Sequence, residues 1–302
     1  MLIKKLIKRL IRFIAITKLS KYILNALPNN QVNVLISPRT KPNKVFNFFF
    51  AMIARYNKLE YPVYRNTKFV FVNEFNMNLD VSEFTQCLYF LNSLDLEFIS
   101  EIRFGGSVFI DIGANVGIFS LIASQTFDEV VAFEPSPKTY EILKSNIELN
   151  SYKNITLHNI GLSNQKTTMK LYLNPLNNGG ATLNENVPKG TTELKKESWD
   201  SIDVKVDILD KISELQNKKI DFIKIDVEGY ELSVLEGAVN LIKTNMPLIY
   251  AEISKDYEKV LDILAILPDS YRALSLIDRK YIDDNSITNI PNDVLFVPKS
   301  YK

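Results

Sequence analysis

Short apolar runs alternate with amphipathic stretches from residue 108 onward, and this alternation limits the possible folds more than any other feature. Five runs have the length and residue types of buried strands: VFIDI (108–112), EVVAF (129–133), NITLHNI (154–160), IDFIKI (220–225) and PLIYAEI (247–253). Four stretches between them predict helices: IFSLIAS, PKTYEILKSNIELN, VDILDKISELQ with an N-cap at Asp210, and GYELSVLEGAVNLIK. Strands that alternate with helices predict an α/β fold with a doubly wound, mostly parallel sheet.

Such sheets bind ligands at the carboxyl ends of their strands, where DIGANVG (111–117) follows the first strand. Gly113 and Gly117 allow a tight turn and the close approach of a ligand. The spacing differs from G-x-G-x-x-G, and Asp111 would repel a pyrophosphate but suits an amino group. Glu134, 23 residues after Asp111, ends the second strand and is placed to accept hydrogen bonds from a ribose diol. A ribose and an amino acid without phosphates predict S-adenosylmethionine.

Three acids lie close together in IKIDVEGYE (223–231). Asp226 stands at the carboxyl end of a predicted central strand, and Glu228 lies two residues further on. Either carboxylate could accept a proton from a substrate hydroxyl, or the two could hold a divalent cation. The alternative is that one of them caps the helix that follows. We expect Glu231, inside that helix, to be structural or solvated.

The single histidine, His158, lies on the third predicted strand. Histidine is the usual base for activating alcohols, so His158 is a third catalytic candidate, although a core role is the alternative. No His/Cys cluster indicates a metal site, and metal ligands stay unassigned. The polar segment 174–190 predicts a loop near the site, either a cover for the substrate or a surface excursion.

The first residues, MLIKKLIKRLIRFI, place large aliphatic side chains on one half of a helical wheel and five Lys or Arg on the other. Residues 1–73 carry a net charge of +13, and the remaining residues sum to −12. An amphipathic helix at 1–25 with a basic face predicts binding to an anionic membrane surface; the alternative is packing on its own domain. We expect no nucleic-acid partner, because no aromatic residues are interleaved with these cations.

The composition, 46% hydrophobic and 24% charged, is that of a globular protein. The lone cysteine, Cys87, excludes an intramolecular disulfide and suits a reducing compartment. We therefore expect a cytoplasmic protein at the inner face of a membrane. Its predicted organisation is a basic N-terminal helical extension at 1–66 and one catalytic domain at 67–302.

Several motifs together resemble one known family: FIDIGANVGIFSL, AFEPSP, VDILDKI, IDFIKIDVEGYELSVLEGA, PLIYAEI and NDVLFVP. Over about residues 68–298 the chain resembles the FkbM family of class I methyltransferases. The resemblance implies a Rossmann-like fold and methyl transfer from S-adenosylmethionine to a hydroxyl, often on a sugar or a glycosylated or polyketide product. The residues that it places at the cofactor are Asp111, Gly113, Asn115, Gly117, Glu134, Pro135 and Ser136.

The resulting hypothesis is an O-methyltransferase that acts on a hydroxyl of a sugar, glycan or glycolipid. S-adenosylmethionine is the expected cofactor. The sequence leaves open whether a divalent metal ion is a second cofactor. The alternative is a non-catalytic binding or scaffold protein with the same fold, which predicts cofactor binding that is absent or indifferent to Asp111 and Glu134.

Overall fold

The computed structural model describes residues 34–35, 64–70, 73–81, 83, 85–86, 105–174, 178–185, 199–253, 256–276, 280–282 and 291–300. The chain divides into two compact units. The first comprises Met1–Leu96, Glu148–Asn150 and Asn174–Gly179, and the second comprises Glu97–Ile147, Ser151–Leu173 and Gly180–Lys302.

The described part of the first unit contains a three-stranded sheet of β1 (Val34–Leu35), β2 (Tyr64–Val70) and β3 (Glu74–Asp80). β2 and β3 form an antiparallel pair, and β1 lies parallel to β2. Phe69 stacks on Phe75 with 5.3 Å between ring centroids, which buries the inner face of the hairpin. The predicted domain boundary at residues 66 and 67 falls inside β2. The amphipathic helix predicted at 1–25 lies outside the described residues, and no described helix is long and apolar enough to cross a membrane.

The second unit is built on an eight-stranded sheet. Its strands are β4 (Gly106–Ile112), β5 (Phe127–Phe133), β6 (Ile155–His158), β10 (Ile220–Ile225), β11 (Leu248–Glu252), β12 (Tyr271–Ser275), β13 (Lys280–Tyr281) and β14 (Asp293–Pro298). The order is β13-β12-β14-β11-β10-β4-β5-β6. The five strands from β11 to β6 are parallel, and the three at the other end pair antiparallel.

The chain order reverses between β4 and β10, because β5 and β6 extend the sheet on one side of β4 and β10 and β11 on the other. The predicted doubly wound, mostly parallel sheet is therefore confirmed. Both central strands are almost wholly buried, with Phe109 of β4 stacked on Phe222 of β10 at 5.1 Å. A switch point of this kind forms the crevice in which open α/β sheets bind ligands.

Five α-helices lie among the described residues of this unit: α1 (Ile118–Ala123), α2 (Pro137–Glu148), α3 (Glu231–Glu236), α4 (Val239–Asn245) and α5 (Tyr257–Ile266). The helix predicted over GYELSVLEGAVNLIK is two helices, interrupted at Gly237. A Cβ at Gly237 would stand 2.2 Å from the carbonyl oxygen of Ser163, so the chain passes too close to its neighbour for any side chain.

The prediction of a helix over VDILDKISELQ is wrong. That segment forms two 3-10 turns, Leu209–Lys211 and Ser213–Leu215. Asp210 does not cap a helix of its own segment. Its carboxylate accepts hydrogen bonds from the backbone N–H groups of Asn240 and Leu241 in the first turn of α4, at 2.9 and 2.8 Å. The predicted N-cap role of Asp210 is therefore also wrong, since its carboxylate binds a helix 30 residues away.

A second sheet in this unit has three strands, β7 (Gly161–Leu162), β8 (Thr167–Tyr172) and β9 (Ser201–Asp207). β9 lies in the middle, parallel to β7 and antiparallel to β8. Its small apolar core contains Leu171, Leu183, Val204 and Val206. Leu183 comes from the polar segment that follows β8, which ties this segment to the sheet.

Candidate active site

The turn after β4 brings the cofactor motif to the switch point. Gly113 has a φ of +74°, and its N–H and that of Ala114 both donate to the carbonyl of Phe133 at 3.0 Å. A Cβ at Gly113 would stand 1.9 Å from the carbonyl oxygen of Asp226. The tight turn predicted for this glycine is thus present, and the group that approaches it is the backbone after β10. Gly117 has a φ of +96° and leads into α1.

Glu134 stands at the carboxyl end of β5, only 7% exposed. One of its carboxylate oxygens accepts a hydrogen bond from the N–H of Asn115 and the other from the N–H of Ser136, both at 2.9 Å. Burial raises the pKa of Glu134 to about 7, although these two N–H groups act in the opposite direction. Each oxygen keeps acceptor capacity beyond its one backbone bond, so the group fits a ligand that offers two hydroxyl donors.

Pro135 and Ser136 connect Glu134 to α2. The side chain of Asn159 donates to the carbonyl oxygens of Glu134 and Pro135 at 2.8 and 3.2 Å, and Ser136 Oγ accepts from the N–H of Thr139. The backbone around the acid is therefore fixed from the next strand and from the helix. These contacts make the carboxylate of Glu134 a preformed acceptor.

Asp111 is fully buried at the carboxyl end of β4. Ser120 of α1 donates to its Oδ2 at 2.6 Å, and Lys224 Nζ lies 3.3 Å from its Oδ1. The structure thus shows Asp111 held by two groups of the protein. A direct contact with a ligand amino group, which the sequence suggested, stays a prediction.

Lys224 is 1% exposed and is the counter-charge of two acids. Besides its pair with Asp111, its Nζ lies 3.5 Å from Asp226 Oδ2 and donates to the carbonyl of Gly113 at 2.8 Å. Burial alone would lower the pKa of Lys224, but the carboxylates of Asp111 and Asp226 outweigh it and raise that pKa. The ammonium group of Lys224 therefore joins the turn after β4, residues 113–117, to Asp226 after β10.

Three carboxyl groups meet beyond the carboxyl ends of β10 and β11. They belong to Asp226, Glu228 and Glu252, and each contributes an oxygen within 4.8 Å of the other two. All three side chains are partly exposed. A substrate can therefore reach the cluster, while the fold holds the three groups side by side.

The environment separates the roles of these acids. Burial, and then the neighbouring charges of Asp226 and Glu231, raise the pKa of Glu228 to about 7. Burial also raises the pKa of Glu252 well above its ordinary value, and the carboxylate of Asp226, with which it shares a hydrogen bond, adds to this effect. Close carboxylates cannot all ionise together, so the cluster retains a proton near neutrality. Glu228 is the member whose pKa matches that of a general base at neutral pH.

The turn that carries Glu228 has an unusual backbone. Glu228 has a φ of +52° and Gly229 one of +97°. The N–H of Gly229 donates to Glu231 Oε1 at 2.9 Å, and the other oxygen of Glu231 pairs with Lys259 of α5. Glu231 is fully buried and structural. Tyr230 occupies the N-cap position of α3, so neither Asp226 nor Glu228 stands at the capping position that the alternative required.

His158 lies at the end of β6, where its Nε2 is 2.8 Å from Glu214 Oε1. Its ring stacks on Phe133 with 4.9 Å between centroids. Two strands, β4 and β5, separate β6 from β10, which at about 4.8 Å per strand puts His158 roughly 14 Å from the acid cluster. The structure does not bring His158 together with Asp226 and Glu228, and the geometry favours its alternative as a packed, paired side chain.

Sequence reasoning missed Glu252 and the central position of Lys224. Glu252 ends the strand that follows the Asp226 strand, so the rule that led to Asp226 could also have found it. The pairing of Lys224 with Asp111 depends on the register of β10 against β4, in which Lys224 lies opposite Asp111.

A family model described as the methyltransferase FkbM domain matches residues 111–274, just over half of the chain. The chain is 30% identical over 144 residues to methyltransferase 1 of Beauveria bassiana, covering 43% of this chain and 58% of that protein. It is 32% identical over 155 residues to methyltransferase sdnD of Sordaria araneosa, covering 42% and 59%. It is 28% identical over 156 residues to the hexuronic acid methyltransferase AglP of Haloferax volcanii, covering 51% and 60%.

The chain thus spans about three fifths of the length of these relatives. Among solved structures, a methyltransferase FkbM from Methylobacillus flagellatus matches with a TM-score of 0.42 and 22% identity. The match covers 64% of this chain and 44% of that one.

Proposed function

The chain belongs to the FkbM methyltransferase family, and from that premise we propose that it transfers a methyl group from S-adenosylmethionine to a hydroxyl of a sugar, glycan or glycolipid. The observation that carries the proposal is the acid cluster of Asp226, Glu228 and Glu252, which adjoins the cofactor turn through the contact between Gly113 and Asp226. A binding site and a proton acceptor are the two parts that this reaction needs.

The cofactor side consists of the turn 113–117 and the carboxylate of Glu134. Glu134 would accept hydrogen bonds from the ribose hydroxyls, because the N–H groups of Asn115 and Ser136 already fix its orientation. When bound, S-adenosylmethionine supplies an electrophilic methyl group. Lys224 and Ser120 keep the carboxylate of Asp111 in place behind the turn.

The acceptor side is the acid cluster. Glu228 would accept the proton of the substrate hydroxyl, since its pKa of about 7 leaves a large fraction ionised at neutral pH. Lys224 holds Asp226, and the carboxyl of Glu252 hydrogen-bonds to Asp226, so both orient the cluster around Glu228. The similarity to AglP, a hexuronic acid methyltransferase, supports a sugar as the class of acceptor.

The first test is calorimetric titration of S-adenosylmethionine into the full chain and into Glu134→Gln. We expect saturable binding to the unmodified chain and a loss of roughly tenfold to a hundredfold in the variant, because a hydrogen-bonding site loses a charged acceptor. Asp128→Asn, an exposed acid on the same strand, is the matched control and should bind as the unmodified chain does. An equal affinity of Glu134→Gln and the unmodified chain for S-adenosylmethionine, or no binding to either, would favour a non-catalytic scaffold.

Acceptors are then found by transfer of radiolabelled methyl to a panel of p-nitrophenyl glycosides that includes a glucoside, an N-acetylglucosaminide and a glucuronide. Labelled glycoside is the expected product, and its methyl position identifies the reacting hydroxyl. Transfer to none of these, combined with transfer to amines or thiols, would contradict the assignment of a hydroxyl acceptor.

A divalent cation is the second candidate for the acid cluster, because three carboxylate oxygens suit Mg²⁺ or Mn²⁺. We expect the activity to survive EDTA, since Lys224 already neutralises Asp226 and a shared proton links Asp226 to Glu252. The measurement is methyl transfer with and without chelator, followed by metal add-back. Loss with EDTA and recovery with Mg²⁺ would assign a cation to the cluster instead.

A further inference from the structure

The segment that follows β8 lies directly against the turn that carries Glu228. Thr182 is 2% exposed, and its backbone pairs with Tyr172, the last residue of β8, through hydrogen bonds of 2.8 and 3.0 Å. The neighbouring side chain, Leu183, belongs to the core of the second sheet. The position of Thr182 is therefore set by that sheet and not by the eight-stranded one.

The hydroxyl of Thr182 bridges this segment and the turn. It donates to the carbonyl oxygen of Glu228 at 2.9 Å and accepts from the N–H of Asn184 at 3.0 Å. The Asn184 amide Nδ2 is 3.5 Å from the carbonyl oxygen of Gly229, at the outer limit of hydrogen-bond distance. Thr182 thus provides the main contact on this side of the turn.

The turn needs such a contact because Glu228 adopts a left-handed backbone at a φ of +52°. A residue with a side chain persists in that conformation only where its surroundings hold it, and such residues concentrate at active sites. Glu231 holds the following N–H, that of Gly229, from the side of α3. The turn is therefore held on one side by Thr182, from the segment after β8, and on the other by Glu231 of α3.

We infer that Thr182 is a positioning residue, which holds the backbone of Glu228 so that the Glu228 carboxylate stays beside Asp226 and Glu252. The inference rests on the proposed function only for the catalytic use of that carboxylate. It gives the segment 180–185 a role different from a cover over the substrate or a surface excursion.

The geometry can be tested without an acceptor, since the chain contains only ten glycines. Protein labelled with ¹⁵N-glycine gives at most ten backbone amide signals, and Gly229→Ala identifies the signal of Gly229 by its loss. In Thr182→Val, which preserves shape but removes the hydroxyl, we expect this signal to move and its amide to exchange with solvent at least tenfold faster. Thr182→Ser retains the hydroxyl and should preserve both properties.

The matched control is Thr67→Val in the β2–β3 hairpin. Thr67 is fully buried, and within the described part of the chain its hydroxyl has no hydrogen-bond partner. This substitution should leave the Gly229 signal and the activity unchanged. It separates the loss of one specific hydroxyl from the general effect of replacing a buried threonine.

The catalytic readout is methyl transfer to the best glycoside of the panel. We expect Thr182→Val to lower kcat on the order of tenfold to a hundredfold, the effect of a misplaced catalytic group, with an unchanged Kd for S-adenosylmethionine and with recovery in Thr182→Ser. An unmoved Gly229 signal in Thr182→Val, or a kcat equal to that of the unmodified chain while Glu228→Gln is inactive, would overturn the inference. If Glu228→Gln is itself fully active, the proposed use of Glu228 fails, and the Gly229 signal still decides whether Thr182 holds the turn.

Discussion

At the scale of single residues, Lys224 is a buried side chain that several groups hold in place. A buried ammonium without partners would be neutralised, yet this one contacts Asp111, Asp226 and the carbonyl of Gly113. Removal of one partner from such a buried set is strongly destabilising, because the remaining charge has no counter-charge. Lys224 thus explains why acids can stand on both sides of the switch point.

The pH dependence of the reaction should report Glu228. A general base must be ionised, so kcat/KM should rise with pH to a plateau, with a midpoint near the pKa of about 7 that burial gives Glu228. Because that pKa is raised, activity is lost as the pH falls through about 7 and not through the ordinary value of a glutamate. Glu228→Gln should lower kcat by about 10²–10⁴ and abolish this midpoint. Initial rates between pH 5 and 9 measure both effects.

Glu258→Gln, an exposed acid on α5, is the control for this substitution and should retain the profile of the unmodified chain. A profile of Glu228→Gln that still has a midpoint near 7 at saturating S-adenosylmethionine, where Glu134 no longer limits cofactor binding, would move the role of base to another group. The sequence indicated Asp226 and Glu228 through their place after a strand. It could not rank them, because the raised pKa of Glu228 depends first on burial in the folded chain.

At the scale of elements, periodicity predicted the strands of the parallel part of the sheet, since their continuous apolar runs have few alternatives. Periodicity failed where tertiary contacts determine the local structure. VDILDKISELQ has the polar and apolar spacing of a helix but folds as two 3-10 turns. Asp210 there bonds to the first turn of α4, a contact that no local pattern contains. Glu252 differs, because its place at the end of a predicted strand was readable from the sequence, and the pairing of β10 with β11 then brings it to Asp226.

Asp210→Ala tests this assignment. The carboxylate of Asp210 accepts from two backbone N–H groups and from the side chain of Asn240, so its loss should lower the free energy of unfolding by about 1–2 kcal/mol, as for other N-caps. Chemical denaturation measures the change, and the affinity for S-adenosylmethionine should stay constant. Asp203→Ala removes an exposed acid that pairs with Lys170, and we expect a change below about 0.5 kcal/mol. Equal effects of the two substitutions would argue against the cap.

At the scale of the whole molecule, charge is divided between a basic first quarter and an acidic remainder, +13 for residues 1–73 and −12 for the others. We propose that residues 1–25 hold the protein at an anionic membrane surface. The support is the sequence alone: aliphatic residues on one helical face and only cations on the other. A glycolipid acceptor would then be presented to the enzyme in the plane of the membrane.

Flotation with vesicles of phosphatidylcholine, with and without 30% phosphatidylserine, tests the membrane proposal. We expect the full chain to float only with the anionic vesicles and to be released by high salt, because each cation near the surface contributes about 1 kcal/mol. Deletion of residues 1–25 should abolish flotation and leave cofactor binding unchanged. Exchange of Lys4, Lys5 and Lys8 for Gln keeps the aliphatic face and should weaken flotation in proportion to the charge removed. Unchanged flotation after the deletion would place the membrane contact elsewhere or exclude it.

The contact between Gly113 and the carbonyl of Asp226 leaves no room for even one methyl group. Neither backbone segment can shift toward the other, and Lys224 ties the same two segments together. We therefore expect a cofactor that moves the first segment also to move the second, which would link the proposed donor and acceptor sites thermodynamically. If the binding of one ligand changes the affinity for the other by a given factor, the binding of the other changes the affinity for the first by the same factor.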